Sequence, residues 1–174
     1  MCVESCKRLR VAGSKQSNKE SRRLSAAPIT IPEIVVVDTK STTKEQVTKE
    51  LAERLEKQGR LKNVKKYLKA VAAREEHFPT GIEGGIAIPH AQSDYVTTPS
   101  VAVAISKAGI DFGADDGPSH LIFLIAAPAS GGNAHLEILG SLARKVMQDE
   151  FREELLAQTD PAQVAEIVTR EVQN

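Results

Sequence analysis

The chain has 174 residues and a formal net charge of zero, with 41% apolar, 26% charged and only 3% aromatic residues. That length suits a single domain with a sizeable core, and no apolar run approaches the roughly 20 residues that cross a bilayer. The aromatic residues are too sparse for a base-stacking platform, so no nucleic acid is expected as a partner.

Charge is unevenly placed. Residues 1–27 hold Lys7, Arg8, Arg10, Lys15, Lys19, Arg22 and Arg23 against Glu4 and Glu20, which leaves the remainder acidic. This polar segment cannot bury enough apolar surface to offset its chain entropy and is expected to be a disordered tail. A nucleic-acid or anionic-membrane arm and a transit peptide rank below that reading. Cys2 and Cys6 lie in the tail without a second ligand pair, a weak zinc signal. Residues 28–174 are expected to form the folded domain, and with no signal-peptide pattern the protein is expected to be cytoplasmic.

Ile34-Val35-Val36-Val37 is a β-branched run closed by Asp38 and reads as the first strand. Thr42 with Glu45, or Thr43 with Gln46, offers a capping box for a helix whose apolar face is Val47, Leu51 and Leu55, stopped by Gly59. Asn63 opens a second helix with Val64, Leu68, Val71 and Ala72 on one stripe, ending near Arg74-Glu75-Glu76 before Pro79. Arg74 therefore sits near a helix C-terminus, where a cation stabilises the carbonyl end by roughly 0.3–1 kcal/mol.

Gly81 to Gly85 reads as a tight turn into a short buried strand, Ile86-Ala87-Ile88. Pro89 fixes its own φ and biases Ile88 toward extended geometry, so the strand is expected to stop at His90. Gln92-Ser93-Asp94 and Pro99 then read as a loop. Ser100 to Ile105 and Leu121 to Ile125 are apolar on both faces, so each is expected to be covered from both sides, with turns at Gly109, Gly113 and Asp116-Gly117. A helix from about Ala134 to Met147 follows, with Asn133 as N-cap and His135 in its first turn. Asp149 to Gln158 makes a further helix, and Asp160-Pro161 opens the last one. This order predicts a single α/β domain, a three-layer α/β/α sandwich on a mixed sheet.

There are four histidines. His90, fixed at the end of a strand, suits a nucleophile or a ligand, against the alternative of a capping or core histidine. His135 lies beside the free amides of a helix N-terminus, a natural anion site, with a plain helix-face residue as an even alternative. His77 reads as solvated, and His120 has no motif around it. No Walker A, dinucleotide or nucleophile-elbow pattern occurs, so no nucleotide cofactor and no metal are expected.

The run Gly85-Ile86-Ala87-Ile88-Pro89-His90-Ala91, with Thr80-Gly81-Ile82 ahead of it and Arg74-Glu75 before that, resembles a known active-site signature. It is that of the fructose–mannitol (type 2) family of enzyme IIA components of the bacterial phosphoenolpyruvate-dependent sugar phosphotransferase system. The similarity runs from about Ile31 to the last helix, through VAVAISKAGIDFGADDG, LIFLIAAP and HLEILGSLARKV. It implies the same layered fold and a phosphoryl group received on His90 from HPr. The group would pass to a cysteine of enzyme IIB, with IIC in the membrane, for uptake of fructose or a related sugar. It also implies that His135 faces His90 and that Arg74 reaches the phosphohistidine pocket. A regulatory protein of the nitrogen-related branch is the alternative within the same resemblance.

Overall fold

A computed structural model describes residues 27–173; the basic tail and its two cysteines lie outside them. The first strand, β1 (Val35–Val36), is shorter than its β-branched run because Pro32–Ile34 winds into a 3-10 turn and Asp38 turns at φ 59°. The first helix, α1 (Lys44–Lys57), takes the second of its two possible caps: Thr43 Oγ1 accepts from Gln46 N at 3.3 Å. Gln46 Oε1 accepts in turn from Thr42 N at 2.9 Å. Asn63 Oδ1 accepts from Lys66 N at 2.9 Å and starts α2 (Val64–His77).

Strands β2 (Gly81–Ile82) and β3 (Ile86–Ala87) form a small antiparallel hairpin, followed by β4 (His90–Ser93). The long pair is β5 (Ser100–Ile110) and β6 (Ser119–Pro128), antiparallel, with an irregularity between Ile105 and Ile110. Gly109, expected in a turn, instead lies inside β5 at φ 78°, in the irregular stretch where β5 advances five residues, from Ile105 to Ile110, against two on β6, from Leu121 to Ser119. The sheet has six strands in the order β1-β5-β6-β3-β2, with β4 also paired to β6. Pairing is parallel for β1 with β5 and for β3 and β4 with β6.

Three helices close the chain: α3 (Ala134–Val146), α4 (Asp149–Leu156) and α5 (Pro161–Gln173). Asn133 occupies the N-cap position of α3 but its side chain makes no capping bond; its carbonyl accepts from Leu136 N and Glu137 N.

Alternate residues of β5 and β6 supply two separate cores. Val101, Val103, Ile105, Leu121, Phe123 and Ile125 pack with Leu142, Val146, Leu155, Val164 and Val168 of α3, α4 and α5. Ala102, Ala104, Ile122, Leu124 and Ala126 pack on the other side with Val47, Leu51, Leu55, Tyr67 and Val71 of α1 and α2. The molecule is thus a three-layer α/β/α sandwich in one domain, as a sheet buried on both faces demands. Among the described residues no helix is long and apolar enough to cross a membrane.

Candidate active site

His90 is the first residue of β4, and the strand does not end there as the sequence suggests. Ile86 faces Leu121 and His90 faces Ile125 across the same neighbour, so β3 and β4 are one strand in one register with Ile88-Pro89 as an interruption. Pro89 has no N–H to give, but its carbonyl still accepts from Ile125 N at 3.0 Å. That contact carries the ladder across the break. Gln92 and Ser93, expected in a loop, therefore stay in the sheet, and Ser93 O goes on to accept from Ala129 N at 3.2 Å.

The interruption has a chemical consequence. His90 Nδ1 lies 2.8 Å from the carbonyl oxygen of Ile88. A carbonyl can only accept, so this ring nitrogen carries the proton and Nε2 keeps its lone pair. The imidazole is half-buried and held through Nδ1. Ile125, which faces it, is fixed from the far side of the sheet: the hydroxyl of Tyr67 on α2 donates to Ile125 O at 2.8 Å. Tyr67 is completely buried, and burial drives its phenol pKa well above the usual range. It acts here only as a donor.

The glycines ahead of the strand have separate tasks. A Cβ on Gly81 would stand 2.7 Å from Phe112 O, so only glycine lets this backbone lie against the 112–114 segment. Gly85 turns the hairpin at φ 72° and its carbonyl accepts from His120 N and Leu121 N.

The segment between α2 and β2 is clamped by consecutive helix residues. Arg74 Nη1 donates to Phe78 O at 3.2 Å. Glu75 takes both donors of Thr80, N at 3.1 Å and Oγ1 at 2.6 Å. No hydrogen bond or ion pair joins Arg74 to His90; the guanidinium satisfies the carbonyl end of its own helix, and α2 packs against β4 from the face of Tyr67. His135 lies in the first turn of α3. The pleat puts His90 on the same face as its partner Ile125, which is the face α3 covers. The side chain of His135 lies outside the described residues.

His77 is exposed at the end of α2. His120 bonds Ser106 O through Nδ1 at 2.8 Å, at the opposite end of β6 from Ile125. A cavity of about 290 Å³ opens between α1 and α2, lined by Leu68, Val71, Glu75, Pro89 and Phe112 among others. His90 is not in its lining, so it is not where the imidazole presents Nε2. Among the described residues no group of His, Cys, Asp or Glu side chains is arranged to hold a metal ion. The roles of Glu75, Thr80 and the Ile88 carbonyl were not read from the sequence, although Glu75 stands in the Arg-Glu pair that carried the resemblance.

Residues 29–171 match the family described as "Phosphoenolpyruvate-dependent sugar phosphotransferase system, EIIA 2". A relative from Haloferax volcanii, "PTS system fructose-specific EIIA component", is 38% identical over 146 residues, covering 83% of this chain and 95% of its own length. The "PTS system fructose-specific EIIABC component" of Bacillus subtilis is 37% identical over 78% of this chain, which spans only 22% of that longer protein. The nitrogen regulatory protein IIA-Ntr from Neisseria meningitidis superposes with a TM-score of 0.73 at 30% identity, covering 81% of this chain and 97% of its own.

Proposed function

The chain belongs to the EIIA 2 family of the phosphoenolpyruvate-dependent sugar phosphotransferase system, and from that premise we propose that it is a cytoplasmic phosphocarrier with His90 as the phosphoryl acceptor. The observation that carries this reading is the bond from His90 Nδ1 to Ile88 O, 2.8 Å long, which commits one ring nitrogen and leaves the other nucleophilic. Nε2 attacks phosphorus in line as the bond between phosphorus and its donor atom on phospho-HPr breaks, the electron pair leaving with the donor. In the next step a cysteine thiolate of enzyme IIB forms a bond to phosphorus while the Nε2–P bond breaks and its pair returns to the ring. Positive charge on the phosphorylated imidazole is partly met by the Ile88 carbonyl. No metal or nucleotide takes part in these steps.

Arg74 and His135 are the proposed stabilisers of the transferring group. A guanidinium can pair with phosphoryl oxygens, which requires Arg74 to exchange Phe78 O for phosphate. His135, in the first turn of α3, adds a donor beside the free amides of that helix end. Fructose-type uptake is supported by the names of the Haloferax and Bacillus relatives, and partnership with IIB and IIC by the composite name of the latter.

The test is reconstituted labelling from phosphoenolpyruvate, enzyme I and HPr, then transfer to candidate IIB proteins. His90→Ala and His90→Gln are expected to abolish labelling, and His135→Ala and Arg74→Ala to slow it with the fold intact. Label retained elsewhere in the His90 variants overturns the assignment. The likeness to IIA-Ntr favours a second reading, in which phosphorylation controls binding to a regulated partner. Transfer to a IIB cysteine supports transport; labelling with no IIB acceptor and tight binding to a kinase or transporter supports regulation.

A further inference from the structure

We infer that Glu75 is a positioning residue for His90, acting by withholding the Thr80 amide from the Ile88 carbonyl so that this carbonyl is left for the imidazole. The inference rests on the phosphocarrier reading for its functional meaning, but its geometry is independent of it.

The hairpin register pairs Gly81 with Ala87 and Ile82 with Ile86, so the next opposed pair is Thr80 with Ile88. A hydrogen-bonded pair in an antiparallel ladder exchanges two bonds, each residue donating to the other. Only one of them is present here: Ile88 N donates to Thr80 O at 3.0 Å. The reciprocal donor, Thr80 N, is turned to Glu75 Oε1 at 3.1 Å, and Thr80 Oγ1 is held by Oε2 of the same carboxylate at 2.6 Å. Thr80 is buried, so its amide has no solvent to compete for it. The carbonyl that lost its ladder partner is the one 2.8 Å from His90 Nδ1.

The three features are parts of one device. Pro89 interrupts the strand and lets the Ile88 carbonyl turn toward the ring. Glu75, fixed on α2, takes the competing donor away. The imidazole is then the donor left for that carbonyl, and this sets the Nδ1–H tautomer with Nε2 free. Without the carboxylate, Thr80 N closes the ladder onto Ile88 O, weakens the ring's anchor and lets the Nε2–H tautomer and other ring orientations form. Glu75 needs no proton transfer for this and does not touch the phosphoryl group.

The experiment uses the full chain with ¹⁵N-labelled histidine. Wild type is expected to show His90 as a single Nδ1–H tautomer. Glu75→Ala is expected to show a mixture of tautomers and a phosphoryl transfer rate about tenfold lower. Glu75→Gln, whose amide oxygen can still accept from Thr80 N, is expected to restore the wild-type tautomer, a rescue that a need for charge alone does not produce. Should Glu75→Ala lose its cooperative melt, Glu75→Asp, too short to span the same gap, makes the same test. A folded variant without the Glu75–Thr80 bond that keeps both the tautomer and the rate overturns the inference. A tautomer that responds as expected while the wild-type chain accepts no label overturns the phosphocarrier reading instead, so the two failures are distinguishable.

Discussion

The two sides of β6 are built to different rules. On one side β5 runs antiparallel through opposed pairs from Ser100–Ala126 to Ile105–Leu121. On the other, β3 and β4 share a register but are interrupted at Ile88-Pro89, and there a carbonyl turns out of the ladder to hold a side chain. Every residue of β5 from Ser100 to Ser106 is buried, whereas His90 and Ala91 are only half-buried. The continuous side supplies cohesion, and the interrupted side uses that rigidity to spare one hydrogen-bond acceptor for chemistry. A site of this kind requires a neighbour that does not move.

Cutting into the continuous side is expected to have the largest effect. Ile105 is 4% exposed and packs in the core beneath α3 to α5. Ile105→Ala is expected to cost about 2–5 kcal/mol in denaturant unfolding, with phosphoryl transfer per folded molecule unchanged. A matching loss of transfer rate would show that the two sides are not separable.

Tyr67→Phe cuts the link between them. It leaves the Ile125 carbonyl, opposite His90, without the hydroxyl that reaches it from α2. The carbonyl keeps its ladder donor from β4, so the loss is that of one hydrogen bond, expected to cost about 0.5–1.5 kcal/mol and read as a lower urea midpoint. No change would mean that β6 holds its place through the sheet alone.

Pro89→Ala acts on the interrupted side. It supplies an amide hydrogen and frees Ile88 from the proline restriction, so the Ile88 carbonyl is no longer directed at the ring. Transfer is expected to fall about tenfold while the melting temperature barely moves. An undiminished rate would show that the interruption persists without the proline.

The smallest effect belongs to a surface contact far from both. Lys145 on α3 lies 2.6 Å from Glu171 on α5, and this bond, with a second from Arg170, holds the Glu171 carboxyl below its ordinary value of 4.5. A carboxyl whose pKa is lower folded than unfolded adds stability above the unfolded value and loses it as pH falls through the folded one. The loss is expected to be a fraction of a kcal/mol below about pH 4.5, because solvent still screens a pair that is only partly covered. Comparing acid unfolding of wild type with Glu171→Gln checks it: the variant should lack that part of the pH dependence, and identical curves would remove the pair from the account.

Much of this organisation was legible in the sequence. Helix boundaries followed caps and apolar spacing, because Thr43 and Asn63 satisfy amides within three residues of themselves. The unbroken apolar runs in β5 and β6 announced a sheet covered on both faces. Local rules failed where a distant strand decided the outcome. Pro89 looked like a strand terminus, yet Ile125 N reaches its carbonyl and carries the ladder on. Gly109 looked like a turn and is a bulge, because Ser119 and His120 extend β6 alongside it.

What the sequence determined by itself is the family, the layered α/β plan and His90 as the residue to watch, since motif, periodicity and caps are written in neighbouring residues. Which ring nitrogen is free, and which residue arranges it, only the tertiary structure decided. The tautomer depends on the Ile88 carbonyl, and that carbonyl's availability depends on where Glu75, 13 residues earlier in α2, sends the amide of Thr80. Hydrogen-bond partners are chosen by distance in space, and a main-chain acceptor has no letter of its own in the sequence.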